Sequence, residues 1–152
     1  MEGKKQGDEQ RKIFFPQKNG QEIKISRKDV NEVQLAKGAI RSGIEILCQK
    51  AGIEPDQIDH FLIAGAFGNY LDLASAIEIG MFPDVPLERY TQIGNAAGAG
   101  ARMLLVNHTQ RKVAEAIGKE IHYVELTAEP SFNDTYVSAL IMEKNGNLKQ
   151  LL

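Results

Sequence analysis

Asp59-His60-Phe61-Leu62-Ile63-Ala64-Gly65-Ala66-Phe67-Gly68 is the stretch that decides the fold class of this 152-residue chain. It is an apolar run that ends in glycines, without the polar alternation of a half-solvated strand. A strand covered on both faces of a parallel sheet has this pattern. Working outward, Asp72 is placed to cap a helix over residues 73–79, and Gly80 to end it. A Pro-broken segment at 81–86 leads to a second short strand, Tyr90-Thr91-Gln92-Ile93-Gly94. Asn95 is a cap for a helix rich in small residues, Ala96 to Ala101, running on to Leu105. Gly98 and Gly100 each cost that helix about 1 kcal/mol relative to alanine, a cost that close approach of another backbone would offset.

Upstream, residues 11–16 and 22–26 are two strands around Asn19-Gly20, a tight-turn signal, and together form a hairpin. A long helix follows, capped by Ser26 or Asp29 and ending near Lys50 with Gly52 beyond it. Val33, Ala36, Ile40, Ile44 and Leu47 recur at helical spacing and are its expected buried stripe. Downstream, the pattern predicts a helix over 109–118, a strand over 121–126 and a helix over 130–139. Residues 141–143 are a terminal strand or the tail of that helix. The order of elements is an α/β layer, a mixed sheet flanked by helices. Residues 1–11 are polar and expected to be a disordered arm, leaving residues 12–152 as a single domain.

Composition bounds the function. The chain is 43% hydrophobic and 25% charged, enough apolar material for a core, with no run near the ~20 residues a membrane span needs. The N-terminus lacks the apolar segment of a secretory signal. Net charge is −2, with a basic start (eight Lys or Arg against five Asp or Glu in residues 1–30), which argues against a nucleic-acid binder and for a solvated arm. Cys48 is the one cysteine. It cannot form an internal disulfide or hold a metal or cluster alone, and it reads as a small core residue in a reducing, cytoplasmic compartment. His60, His108 and His122 lack metal-ligand spacing, so no metal site and no catalytic residues are assigned.

Three constellations could carry function, each with two readings. Gly65 and Gly68, at a strand-to-helix junction, would let a ligand approach the backbone, or would simply make a tight turn. Gln34, Lys37, Gly38, Arg41 and Glu45 share one side of the long helix, expected to be exposed. That side is either a nucleotide wall, with Gly38 admitting a flat base, or a solvated face carrying an Arg41–Glu45 pair. Asn95, Gly98 and Gly100 mark a small-residue helix face for close helix packing or for binding.

Residues 25–40, Ile63-Ala64-Gly65-Ala66-Phe67-Gly68-Asn69-Tyr70-Leu71-Asp72, Ile93-Gly94-Asn95-Ala96-Ala97-Gly98-Ala99 and Tyr123-Val124-Glu125-Leu126 resemble stretches of the ATP-dependent reductive activators of corrinoid proteins. The resemblance covers residues 22–142. It implies a ribonuclease H-like, actin-like ATPase subdomain of the acetate and sugar kinase, heat-shock chaperone and actin superfamily. It further implies a multidomain protein that returns Co(II) corrinoid to Co(I), with a corrinoid protein as partner. In that superfamily the glycine motif contacts adenosine, which carries over to Gly65, Ala66, Phe67, Gly68 and Asn69. The long helix supplies the other wall, at Gln34, Lys37, Gly38 and Arg41, and the helix at Asn95, Gly98 and Gly100 is similar to the hinge segment.

The departures matter equally. The two phosphate-site hairpins of the superfamily (Asp-x-Gly-Thr and Asp-x-Gly-Gly types) are missing, and so are cluster cysteines. ATP or ADP with magnesium therefore belongs to the full-length context, and the family's iron–sulfur and metal-binding character to an N-terminal region. The chain resembles a C-terminal portion, expected to bind adenine nucleotide weakly and to catalyse nothing alone. The alternative is a noncatalytic interaction domain on the same fold, pairing as a homodimer or with a partner. A dehydratase-activator type would need two cysteines per chain, which lone Cys48 opposes.

Overall fold

The computed structural model describes residues 13–16, 22–65 and 67–142. The expected arm at 1–11, the Asn19-Gly20 turn, Ala66 and Glu143 lie outside the described residues. Strands β1 (Ile13–Pro16) and β2 (Glu22–Ile25) pair antiparallel, with Ile13 opposite Ile25. Helix α1 (Arg27–Ala51) is 25 residues long. Its cap is Ser26: the Asp29 amide donates to Ser26 Oγ at 3.3 Å, and the Ser26 amide donates to Asp29 Oδ2 at 2.7 Å. The capping box thus falls on Ser26 and Asp29, one turn before the Asp29–Glu32 spacing that the sequence also offers. The bonds from Ser26 hold the Asp29 carboxyl below its usual value. At the other end Ile53 donates to Cys48 O at 3.1 Å around Gly52, the bond that closes a Schellman motif.

Of the expected stripe of α1 only Ile44 packs on the core. Val33, Ile40 and Leu47 are each 40–50% exposed, while Lys37, Gly38, Ser42, Gly43, Ile46 and Cys48 are buried. Helix α5 (Phe132–Ala139) causes the rotation, because it packs on the Gly38 side. A Cβ at Gly38 would lie 2.9 Å from Leu140 Cδ2 and 3.4 Å from Tyr136 Cε2, so the α5 side packs closely there and leaves little room for side-chain bulk beyond a methyl group. Gly43 lies under Leu126 with room to spare, since a Cβ there would be 3.5 Å from Leu126 Cδ1, an ordinary contact. The small residues, whose helix cost looked like a weakness, mark the contact face. Lys50 Nζ to Glu129 Oε1, at 2.9 Å, closes the same flank.

Strands β3 (Phe61–Ala64) and β4 (Tyr90–Gly94) pair in parallel. Between them runs α2 (Leu73–Glu78), capped by Asp72, whose Oδ1 accepts from the Ser75 amide at 2.8 Å. Among the described residues the strands form two separate pairs, one antiparallel and one parallel, joined by α1 and not by hydrogen bonding into one mixed sheet. The core gathers against the parallel pair: Ala76, Ile77, Met81, Phe82, Val85 and Tyr90, with Ile44, Phe61 and Ile63 packed on it. The Pro-broken segment thus contributes three of the buried side chains. The Tyr90 ring stacks on Phe61 at 4.8 Å and touches Phe82 at 5.7 Å, and its hydroxyl donates to Pro83 O at 2.7 Å.

Helices α3 (Ala96–Val106) and α4 (His108–Glu120) follow, separated by Asn107, whose side chain accepts from the Thr109 amide at 3.0 Å. Neither helix has a buried residue. The strand expected over 121–126 is absent: that segment is irregular up to a 3-10 turn, Leu126–Ala128. Tyr123 is exposed, and its hydroxyl donates to Glu125 Oε2 at 2.7 Å while Thr127 donates to Oε1 at 2.6 Å. Alternating residues without a neighbouring edge satisfy themselves locally instead. Helix α5 starts at Phe132, two residues after the expected Pro130, and Ile141 and Met142 leave it without forming a strand.

Two outcomes follow from this packing. Gly38→Ala should leave stability nearly unchanged, since the flexible Leu140 end can yield and alanine favours helix. Gly38→Val should lower the urea midpoint by the equivalent of about 2 kcal/mol, as overpacking does; equal midpoints would contradict the close α1–α5 contact. Tyr90 supplies a pH signature, since burial pushes its phenol up to about 12. A raised pKa favours the neutral phenol in the folded state. Its contribution is therefore fully present below the unfolded value near 10 and is lost as pH rises to about 12. Tyr90→Phe should cost about 1 kcal/mol at neutral pH by removing one of the two donors to Pro83 O, the Val85 amide at 3.0 Å remaining, with the gap from wild type narrowing across that window. A constant gap in alkaline urea melts would contradict it.

Candidate functional site

Both glycine segments singled out in the sequence come together at the carboxyl ends of β3 and β4. Opposite Ile63 stands Gln92, and an irregularity then shifts the register so that Ala64 faces Gly94. The Gly65 amide donates to Gly94 O at 2.7 Å. Gly65 has φ +102° and Gly94 φ +63°, values that L side chains rarely adopt, so both positions call for glycine. Around Gly65 a Cβ would find nothing within 4 Å, so the backbone there faces open space. Gly68 is the opposite case: buried in the 3-10 turn Phe67–Tyr70, it would bring a Cβ to 2.8 Å from Ile63 Cγ2. The turn therefore folds back over β3 only with glycine at 68. Phe67 and Asn69 lie in the same turn.

Gln92, which sequence reasoning did not single out, ties this turn to β4. Its carboxamide nitrogen donates to Gly68 O and, at 2.9 Å, to Leu71 O. A glutamine in a short strand gives no signal of such a role, since its partners are main-chain atoms more than twenty residues away in sequence.

On α1 the expected wall residues have other partners. Gln34 Nε2 donates to Leu140 O at 3.2 Å, and Lys37 Nζ donates to Ile141 O. These carbonyls lie just past the end of α5, and a cation there meets the negative end of the helix dipole. Lys37 is 1% exposed, and burial first, then the nearby Arg41 charge, lowers its pKa. The expectation of an exposed side at Gln34, Lys37 and Gly38 is thus corrected: α5 covers it. Arg41 differs. Its Nε pairs with Glu45 Oε1 at 2.6 Å, as the spacing predicts, and Nη1 donates to Phe82 O at 3.2 Å.

Arg41 borders a cleft of about 560 Å³ with Glu45, Cys48, Gln49, Ile53 and Glu54, and a second hollow of about 260 Å³ with Glu54, Asp56, Asp84 and Val85. Carboxylates outnumber the guanidinium around both, an arrangement that repels phosphate and tolerates a neutral or cationic group. The Cys48 thiol is buried and pushed up by that burial, so it stays protonated and inert. Among the described residues no three His, Cys, Asp or Glu side chains gather as a metal site. None of the described helices is long and apolar enough to cross a membrane.

Asn95 Oδ1 accepts from the Gly98 amide at 2.9 Å, and a Cβ at Gly98 would lie 2.6 Å from Asn95 Nδ2. Gly98 thus makes room for the cap of its own helix, where packing against another helix was expected. Gly100 faces open space.

Comparison with known proteins agrees with this architecture. A family model described as the C-terminal domain of RACo, the ASKHA domain, matches residues 2–150. The corrinoid activation enzyme RamQ of Eubacterium limosum is 39% identical over 118 residues, covering 78% of this chain and 20% of that protein. The Co(II) methylated amine-specific corrinoid protein reductase of Methanosarcina barkeri is 32% identical over 124 residues, 80% of this chain and 23% of that one. A solved reductive activator for corrinoid, iron-sulfur protein superposes with a TM-score of 0.75 at 30% identity, covering 88% of this chain and 22% of the other. The chain spans about a fifth of the length of these relatives. With a family model matched along nearly its whole length and the same fold in a solved relative, this chain belongs to the family of RACo C-terminal ASKHA domains.

Proposed function

We propose that the chain is the adenosine-facing, C-terminal part of an ATP-dependent reductive activator that returns Co(II) corrinoid proteins to Co(I). The observation that carries this reading is the pair of glycine segments held together at the ends of β3 and β4, with open space over Gly65. Ligands of α/β sheets collect at such carboxyl ends, and the relatives are named for corrinoid activation and corrinoid reduction. The nucleoside lies on the main chain of Gly65 to Asn69, with Ala66 between the glycines. From α1, Arg41 borders an open cleft, whereas Gln34, Lys37 and Gly38 can meet a nucleotide only if the end of α5 moves away.

This reading gives the chain the nucleoside part of the cofactor. Magnesium on nucleotide phosphates takes one or two carboxylates, and the reading assigns it, with the phosphate hairpins, to the rest of the activator. No hydrolytic step is therefore assigned to these side chains. Bound nucleotide in the complete activator would supply the energy for an uphill electron transfer. This domain's share is to bind and orient the adenosine, with the Asn95–Gly100 start of α3 as the segment that follows the site toward a hinge. Partnership with a corrinoid protein and a cytoplasmic location belong to the same reading.

A second reading has one observation in its favour. Met103, Leu105 and Val106 on α3 are 52%, 75% and 81% exposed, an apolar surface suited to a docking or self-pairing domain.

Titration of the chain with ADP, followed by backbone amide shifts, separates the two. The activator reading predicts saturable shifts centred on Gly65, Gly68 and Arg41, with a dissociation constant on the order of 1 mM, about −4 kcal/mol. Shifts absent at saturating ADP would contradict it and leave the interaction domain.

A further inference from the structure

We propose that Gln92 is a positioning residue of the nucleotide site: its carboxamide holds the Phe67–Tyr70 turn in place and so fixes the glycine backbone on which the adenosine lies. The proposal rests on the adenosine reading above. Gln92 stands in β4 opposite Ile63 of β3, and the turn follows β3 after two residues. Its Nε2 donates to Gly68 O, inside the turn, and to Leu71 O, just past its end. A carboxamide nitrogen carries two hydrogens, so its whole donor capacity is spent on this one segment. The two acceptors span the latter part of the turn, and one planar group sets their separation.

Among the described residues, two further ties on this loop are main-chain or packing contacts. Gly65 is held by its amide on Gly94 O, and Gly68 is seated by lack of bulk over Ile63. Those contacts fix where the loop leaves the sheet, and Gln92 fixes where it goes next. Gln92 is itself exposed and takes no part in the core around Tyr90. Its removal should therefore loosen the loop without unfolding the domain. Length and donors are both required. Leucine has similar reach and donates nothing, and an ionised glutamate would set a carboxylate against two carbonyl oxygens.

The test compares the wild-type chain with Gln92→Leu and Gln92→Glu, using adenosine and ADP as probes. Loss of two main-chain acceptors' partner predicts about tenfold weaker binding of both probes in both variants. The expected result also includes faster hydrogen exchange at the amides of residues 67–71 and an unchanged thermal midpoint. Equal loss with adenosine and ADP is the signature of positioning, since a charge effect in Gln92→Glu would weaken ADP alone. Wild-type affinity retained in Gln92→Leu would overturn the proposal while leaving the adenosine reading standing. A fall in thermal midpoint with unchanged affinity would overturn it in favour of a structural role. If the wild-type chain binds neither probe, the adenosine reading falls and the site role of Gln92 falls with it; the exchange of the turn amides then reports only on the clamp.

Discussion

The hydrogen bond from the Gly65 amide to Gly94 O is the contact on which the site depends. It exists because β3 and β4 run parallel and because the register slips between Ile63 and Ala64, bringing the two strand ends level. Both residues sit at positive φ, so neither segment could hold this geometry with a side chain at these positions. From there the chain departs in two directions: over Ile63 through Gly68 into the 3-10 turn, and through Asn95 into α3. The core under Tyr90, built from α2 and the Pro-broken segment, keeps the parallel pair in place beneath them. Packing thus supports a junction whose upper side is bare main chain.

A second constraint acts on α1. Its glycines and its buried lysine look in sequence like a binding face, yet they make the contact with α5. Gln34 and Lys37 donate to the two carbonyls just past the end of that helix, Leu140 O and Ile141 O, and Gly38 lets it approach. A buried cation is costly without such partners, and the helix end supplies them. The arrangement leaves Arg41, one turn further on, as the α1 side chain between a core carbonyl and an acidic cleft. The residues that resembled a nucleotide wall in sequence are thus mostly held by the end of α5.

Much of this was legible in the sequence, for identifiable reasons. Caps at Ser26, Asp72 and Asn95 act within three residues of themselves, so local rules find them, while the cap at Asn107 went unread. The uniform apolar run before Gly65 marked a strand with parallel pairing, but the cover expected on both faces is not there: Leu62, on one face, is 63% exposed, so the strand is half-solvated without the polar alternation that usually marks one. The buried face of α1 was misjudged because hydrophobic spacing assumes that bulk faces the core, and here a neighbouring helix chose the residues without bulk. The strand expected over 121–126 failed because alternation describes a strand that has a partner, and among the described residues this one has none. Gln92 was invisible for a related reason: its partners, Gly68 O and Leu71 O, are main-chain atoms supplied only by the fold. Resemblance to the activator family was recognisable from motifs, while the commitment of Lys37 to α5 required coordinates.

The measurement that bears most directly on the central claim is an intermolecular NOE experiment on the isotopically labelled chain with excess ADP. The account predicts cross-peaks from the adenine and ribose protons to the backbone protons of Gly65 and Gly68. Cross-peaks confined to the cleft at Arg41 and Pro55, or to the exposed side of α3, with none to the glycine turn, would contradict it.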